Sequence, residues 1–285
     1  MNIDLEILHI MPGYTCNLSC AHCVNESGPK RNESLLEEEI LELKTTIAKL
    51  APKRLVFTGG EPTLYISSIN ELIESHNFID TLDVFITTNG WFAKNLESAT
   101  KVLNSFKKIT HLQLSYDLFH GSKLKIEDIK LLKNILHDLG IVFNISVCIS
   151  SPSELMLANE IQLKTETTVI FQKIDASGRA LKNNVEFKYP VFDPEVLEKQ
   201  CPNLGQFSYI SGKGFSTCCS NLIFNSNCPS FVFSKKLEHY MNGSFFKQIS
   251  SKTFRQLAIE KNIDISNLSP SYSAPCRLCE YIFKE

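Results

Sequence analysis

Leu5-Glu6-Ile7-Leu8-His9-Ile10-Met11 is an apolar run of the kind a buried strand carries, and it is soon followed by Cys16-Asn17-Leu18-Ser19-Cys20-Ala21-His22-Cys23. Three thiolates separated by gaps of three and then two residues can wrap three corners of an iron-sulfur cubane and leave its fourth iron unligated. The next cysteine, Cys148, is far along the chain. A structural zinc site would be closed by four ligands, with His22 as the competing fourth, and a disulfide framework would suit a smaller secreted chain.

Outward from this loop the chain repeats one pattern. Ser34 with Glu37 reads as a capping box that opens a helix through Ile40, Leu41, Leu43 and Ile47. Further strands are expected at Arg54 to Phe57, Leu82 to Thr87, His111 to Ser115, Ile141 to Ile149 and Thr168 to Phe171, with a helix from Ile126 to Leu139 that stops at Gly140. Strands alternating with helices imply parallel pairing, because each parallel connection needs a crossover long enough to hold a helix. An open doubly wound sheet is the alternative to a barrel. In either fold ligands gather at the C-terminal ends of the strands, and there stand the cysteine loop, Thr58-Gly59-Gly60-Glu61-Pro62, Thr88-Asn89-Gly90 and Ser115-Tyr116-Asp117.

The spacing C-x-x-x-C-x-x-C resembles the cluster loop of the radical S-adenosylmethionine (SAM) enzymes. The resemblance implies a partial, six-stranded (β/α)6 TIM-like barrel of α/β class. It also implies that SAM chelates the open iron of a 4Fe-4S cluster held by Cys16, Cys20 and Cys23, and is cleaved to a 5′-deoxyadenosyl radical. Gly59 and Gly60 let a ligand approach the backbone closely, and Glu61 offers a carboxylate able to pair with an ammonium group. Thr-Gly-Gly-Glu-Pro resembles the segment that contacts the SAM amino group, and Ser115 and Asp117 stand where family members contact SAM. Asp117 can equally accept backbone hydrogen bonds in a turn, or act with His120 on a substrate amide. Thr88, Asn89 and Arg179 fit the rim of the same pocket or ordinary turn and surface chemistry.

The composition agrees with such an enzyme. The chain's 285 residues, 43% of them apolar, allow one large domain or a domain with an extension. A net charge of −2, with Lys and Arg spread thinly, gives no footprint for nucleic acid. Met1-Asn2-Ile3-Asp4-Leu5 lacks the basic and apolar regions of an export signal, and no apolar run approaches bilayer-spanning length. A cytoplasmic protein without a membrane partner is expected, and ten cysteines in a reducing compartment point to metal ligation or catalysis.

Beyond about Asn183 the alternation fades and cysteines become dense, which divides the chain into residues 1–190, the barrel, and 191–285, a small cysteine-rich module. Cys201, Cys218, Cys276 and Cys279 have spacing that suggests a second site, with a hairpin through Gly212 and Gly214 joining the first two. The combination resembles the twitch module, which implies an auxiliary 4Fe-4S cluster; zinc also fits four cysteines. Neighbouring side chains in an extended segment point to opposite faces, so one of Cys218 and Cys219 is spare. If Cys218 ligates, Cys219 faces the barrel and can donate a hydrogen atom. Cys148 and Cys228 read as small buried hydrophobes, with Cys228 a possible replacement ligand.

Taken together, Cys201-Pro202 through Cys218-Cys219-Ser220, Cys276-Arg277-Leu278-Cys279 and Ser115-Tyr116-Asp117 with His120 resemble the radical SAM peptide epimerases of ribosomal peptide biosynthesis. That resemblance implies L-to-D conversion in a ribosomally made peptide, with Cys219 as catalytic thiol and a flavodoxin- or ferredoxin-type reductant as partner. A dehydrogenase or crosslinking maturase is the nearest rival, and a non-catalytic metal-binding module is the rival from another class.

Overall fold

Every apolar run expected to form a strand does so. The computed structural model describes residues 5–120, 124–224 and 227–284, so the leading Met1-Asn2-Ile3-Asp4 of the export argument lies outside the described residues. The first strands are β1 (Ile7–Met11), β2 (Arg54–Phe57), β3 (Asp83–Thr88), β4 (His111–Ser115), β5 (Val142–Ile149) and β6 (Thr168–Lys173). Between them run α1 (Glu37–Leu50), α2 (Ile66–Glu74), α3 (Leu96–Asn104), α4 (Ile126–Asp138) and α5 (Leu155–Thr165). The six strands pair in parallel and in chain order. A doubly wound sheet would reverse its order partway, whereas sequential order is that of a barrel.

The two-residue period of the strands sorts side chains onto two faces. Leu8, Ile10, Leu55, Phe57, Val84, Ile86, Leu112, Leu114, Ile145 and Val147 are all buried beneath the helices. Each contributes on the order of 1.5–3 kcal/mol by leaving water. Opposite parity carries Thr87, Gln113, Ser115, Ser146 and Cys148, which line the interior cavity. One face therefore builds the core and the other builds the site.

The start of α1 corrects the capping expectation. Ser34 forms an isolated bridge with Gly13, and the Tyr14 amide donates to the Glu33 carbonyl at 2.9 Å, so this segment is tied to the base of the cysteine loop. The helix begins only at Glu37, and Glu39 accepts from the Leu36 amide at 3.2 Å. Glu39 is itself buried, accepting also from Gly212 N at 3.1 Å and Lys235 Nζ at 2.8 Å, which joins α1 to the C-terminal third.

That third continues the same sheet. β7 (Gln206–Ile210) adds to β1 in parallel, and β8 (Gly214–Ser216) returns antiparallel to it, giving the order β6-β5-β4-β3-β2-β1-β7-β8. The turn passes through Gly212 at φ 78° and Gly214 at φ 125°, backbone conformations that favour glycine. Phe207, Tyr209, Phe215, Phe254 and Leu278 share one hydrophobic cluster with Leu8, Ile10 and Phe57. The described residues of the 191–285 segment thus share sheet and core with the barrel. Among the described residues no helix is long and apolar enough to cross a membrane.

Candidate active site

The cysteine loop is stitched to its neighbours by backbone. Cys16 N donates to Gly28 O at 3.3 Å and Gly28 N to Tyr14 O at 3.1 Å, folding the loop on itself. Gly60 N donates to Gly13 O at 3.0 Å and Glu61 N to Thr15 O at 2.9 Å, which fastens the loop after β2 against it. A Cβ on Gly60 would lie 2.0 Å from the Thr15 carbonyl oxygen. Replacing Gly60 by alanine must push the two loops apart, costing about 3 kcal/mol of stability. Reconstituted Gly60→Ala protein should show both a lowered midpoint of unfolding and a reduced iron content; unchanged values would contradict this packing.

Cys16, Cys20, Cys23, Gly59, Gly60, Glu61, Thr88, Asn89, Ser115 and His120 all line one cavity of about 420 Å³. The sequence had dispersed these residues over more than a hundred positions; four strand ends collect them. Glu61 is buried, and its Oε1 accepts from Thr63 N (3.2 Å), Thr63 Oγ1 (2.8 Å) and Thr88 Oγ1 (2.6 Å). Its Oε2 accepts from Asn89 N at 2.9 Å. Burial raises the Glu61 pKa, opposed by these bonds. Only Oε2 keeps acceptor capacity toward a cationic ligand, and the rest of the carboxylate locks the loops after β2 and β3 together.

Asp117 takes the turn role rather than a place on the cavity wall. Its Oδ1 accepts from Phe119 N at 2.8 Å and His120 N at 2.9 Å, and Oδ2 accepts from Cys148 N at 2.9 Å and lies 2.8 Å from His120 Nδ1. Burial pushes the Asp117 carboxyl up, but the bond and charge of His120, with the charge of His22 and the Cys148 amide, together outweigh it and leave the pKa below its ordinary value. Asp117 therefore orients His120, which does face the cavity. Arg179 sits behind the cysteine loop: its amide donates to Cys23 O at 3.0 Å and its guanidinium reaches Ser27 O.

Three contributors escaped the sequence reading. Asn25 accepts from Cys23 Sγ at 3.0 Å and donates to Gly59 O at 3.2 Å, bridging the cysteine and glycine loops. Asn17 accepts from Asn89 Nδ2 at 2.8 Å, joining the cysteine loop to the end of β3. Cys148, read as a small buried hydrophobe, stands on the cavity wall because its strand parity matches Ser146. Position in a loop gave no signal for the asparagines, since turn residues are common there.

Five of the six remaining cysteines gather around a second, smaller cavity of about 140 Å³, lined by Cys201, Cys218, Cys219, Cys276 and Cys279 with Leu222, Phe245, Ile249 and Phe254. Cys228 is not among them; its Sγ donates to Pro229 O at 3.7 Å. Cys219 and Cys276 line both cavities. Cys219 is the exposed one of the five, while Cys276 is half-buried. Burial raises Cys16 to about 11 and Cys218 to about 12, so each is a neutral thiol near pH 7 and becomes a ligand only with proton release.

The spacing of these thiols tests what they can hold. A tetrahedral zinc with Zn–S bonds of about 2.3 Å brings its sulfurs to about 3.8 Å from one another. Among the described residues, the one trio of ligand atoms mutually within 4.8 Å is His22, Asp117 and Cys148, so neither cysteine set has the contraction a single ion needs. His22 instead packs edge-on to His120, with ring centroids 4.6 Å apart, and burial lowers its pKa to about 4. Cys16, Cys20 and Cys23 stand on one cavity wall without so close a set of three, an arrangement that suits a multinuclear cluster with an open position.

Comparison with known proteins agrees with this geometry. Residues 10–149 match the family model described as the Radical SAM superfamily. A probable GTP 3′,8-cyclase of Saccharolobus solfataricus is 29% identical over 137 residues, 43% of this chain and 44% of that protein. The GTP 3′,8-cyclase of Chlorobaculum tepidum is 38% identical over 87 residues, 30% of this chain and 26% of that protein. The chain thus matches less than half the length of these curated relatives. The fold is similar to Streptococcus suis SuiB bound to the precursor peptide SuiA, with TM-score 0.57, 14% identity and coverage of 87% of this chain and 67% of that one. It is also similar to native anSMEcpe with bound AdoMet and a Cp18Cys peptide, with TM-score 0.53, 17% identity and coverage of 97% and 95%.

Proposed function

We propose, from the premise that residues 10–149 of this chain are a radical SAM domain, that the protein is a peptide epimerase converting L- to D-residues. The observation that carries the reading is the position of Cys219, the most exposed residue of the second cysteine group, on the wall shared by the three-cysteine cavity and the second cysteine-lined cavity. The fold's likeness to SuiB and anSMEcpe, both solved with peptides, supports a peptide as substrate.

Cys16, Cys20 and Cys23 would hold the SAM-binding 4Fe-4S cluster. When bound, cluster and SAM supply a 5′-deoxyadenosyl radical able to take a hydrogen atom from the Cα of a peptide residue. Gly59 and Gly60 would admit SAM against the backbone, Glu61 Oε2 would be free to accept from its ammonium, and Ser115 at the end of β4 would line its place. Cys219 then gives its thiol hydrogen to the planar Cα from the opposite face: the S–H bond breaks, the new Cα–H bond forms, and the unpaired electron is left on sulfur. One electron and one proton restore the thiol. That electron would come from a flavodoxin- or ferredoxin-type reductant; Cys201, Cys218, Cys276 and Cys279 would hold an auxiliary 4Fe-4S cluster, which supplies one-electron chemistry next to Cys219. The peptide's mass is unchanged while one centre is inverted.

Turnover of the substrate peptide in D2O tests the reading. Hydrogen return from an exchangeable thiol should give a product one mass unit heavier than in water, with deuterium at the Cα of a D-residue. A product lighter by two hydrogens, with Cys219 intact, would establish oxidation or crosslinking instead.

A further inference from the structure

The two edges of the open sheet differ. β8 is partly covered, because Phe215 exchanges backbone hydrogen bonds of 2.7 and 3.0 Å with Ser234. β6 pairs with β5 alone, and among the described residues no backbone bond is made on its other side from Thr168 to Lys173. Ile174 N donates to Ile149 O of β5 at 3.0 Å. The two-residue alternation then turns the N–H and C=O groups of Val169, Phe171 and Lys173 toward the free edge.

Natural edge strands are usually blunted by charge, proline, a bulge or a covering segment. Thr168-Val169-Ile170-Phe171-Gln172-Lys173 has no charge before its last residue and no proline, and Ile170 and Phe171 are 43% and 52% exposed. The register Ser146↔Ile170 and Cys148↔Gln172 puts Ile170 and Gln172 on the cavity side of the sheet. Gln172, Lys173, Ile174 and Asp175 themselves line the cavity. The free edge therefore leads into the site. At its end Lys173, which itself lines the cavity, holds its Nζ 4.6 and 4.7 Å from the ring centres of Phe187 and Tyr189, a positive charge fixed at the end of the free edge.

We propose that β6 is the docking strand for the substrate, an extended peptide segment that adds to its free edge, sets a carboxylate against Lys173 and delivers the next residues into the cavity. This rests on the reading of the substrate as a peptide. Main-chain bonds to Val169, Phe171 and Lys173 supply affinity largely independent of sequence, while Ile170 and the Lys173 charge select what lies beside them. Strand addition holds the peptide backbone straight, and so fixes which face of a Cα is presented to Cys219.

The probe is a displayed library of linear twelve-residue peptides selected against the reconstituted holoenzyme with SAM. Selected peptides should slow amide exchange in residues 168–173 and carry an acidic residue at a constant position. N-methylation along such a peptide should weaken binding by about 3- to 10-fold at alternate residues and be tolerated between them, the loss expected for one hydrogen bond each. Phe171→Pro removes one outward N–H and no bond to β5, and should cost a similar factor, while Phe171→Ala retains that bond. Lys173→Glu should shift the selected position from acidic to basic. Binding that protects another segment, with no two-residue period, overturns the docking strand and leaves the peptide reading standing. A library from which no peptide binds the holoenzyme overturns both.

Discussion

With Cys16, Cys20 and Cys23 replaced together by alanine, the protein should form no detectable 5′-deoxyadenosine under strong reductant, against ready formation by the wild type. The effect is total because an open cubane needs all three thiolates, and no other cysteine except Cys148 belongs to the cavity without also bordering the second cysteine group. The fold should survive: the loop's backbone bonds, such as Cys16 N to Gly28 O, and the strand core of Leu8 and Ile10 do not use the thiols. The variant should therefore remain folded by circular dichroism and lose a fraction of its iron, keeping whatever Cys201, Cys218, Cys276 and Cys279 retain. SAM cleavage by the triple variant would refute the assignment of the loop.

Cys219→Ala should keep its iron and its cleavage of SAM and yet produce no D-residue. Here the reaction is interrupted after hydrogen abstraction, because the thiol that returns hydrogen is gone while the ligands are intact. The expected signature is 5′-deoxyadenosine without inversion, read by chiral analysis of the hydrolysed peptide alongside quantitation of the nucleoside. Cys219→Ser is the sharper form of the same test, since an O–H bond is too strong to donate its hydrogen to a carbon radical while the side chain's size is nearly conserved. Should Cys219→Ala lose iron, with Cys218→Ala keeping it, the roles of these neighbours are exchanged. Their separation rests on exposure: Cys218 is half-buried in the smaller apolar cavity, and Cys219 is the exposed member of the pair.

The strands were legible because their burial periodicity is local. β2 and β4 fall where the apolar runs placed them, and β6 extends two residues beyond Phe171 to Lys173. The start of α1 was less legible: Ser34 has the right side chain for a cap, but its backbone is taken by Gly13 across the loop, a contact no local pattern announces. The hairpin through Gly212 and Gly214 was legible and forms as β7 and β8, but its pairing with β1 was hidden for a different reason. Phe207, Ser208, Tyr209 and Ile210 are all buried, so the strand carries no alternation, and β8 is only three residues long. A run buried on both faces reads the same whether it belongs to a separate module or, as here, pairs with β1.

The site divides along the same line. Cys16, Cys20 and Cys23 were legible as a group because their spacing keeps them on one loop, and the structure sets all three on one cavity wall. Glu61 was legible as a carboxylate at the strand ends, yet three of its four accepted bonds go to one oxygen, and this division follows from where Thr63 and Thr88 meet it. Asp117 was open between two roles until the amides of Phe119, His120 and Cys148 were seen to converge on it.

By itself the amino-acid sequence determined the alternation of strands and helices, the three-cysteine loop and the presence of a second cysteine group, since each is written in local period or spacing. Only the tertiary structure decided that the second group shares the barrel's sheet, that Cys148 and Cys219 reach the same cavity as the loop, and that β6 is left with a free edge. Those properties depend on which strands become neighbours and which side chains share a face, and burial of the whole core, rather than any segment's own preference, selects them.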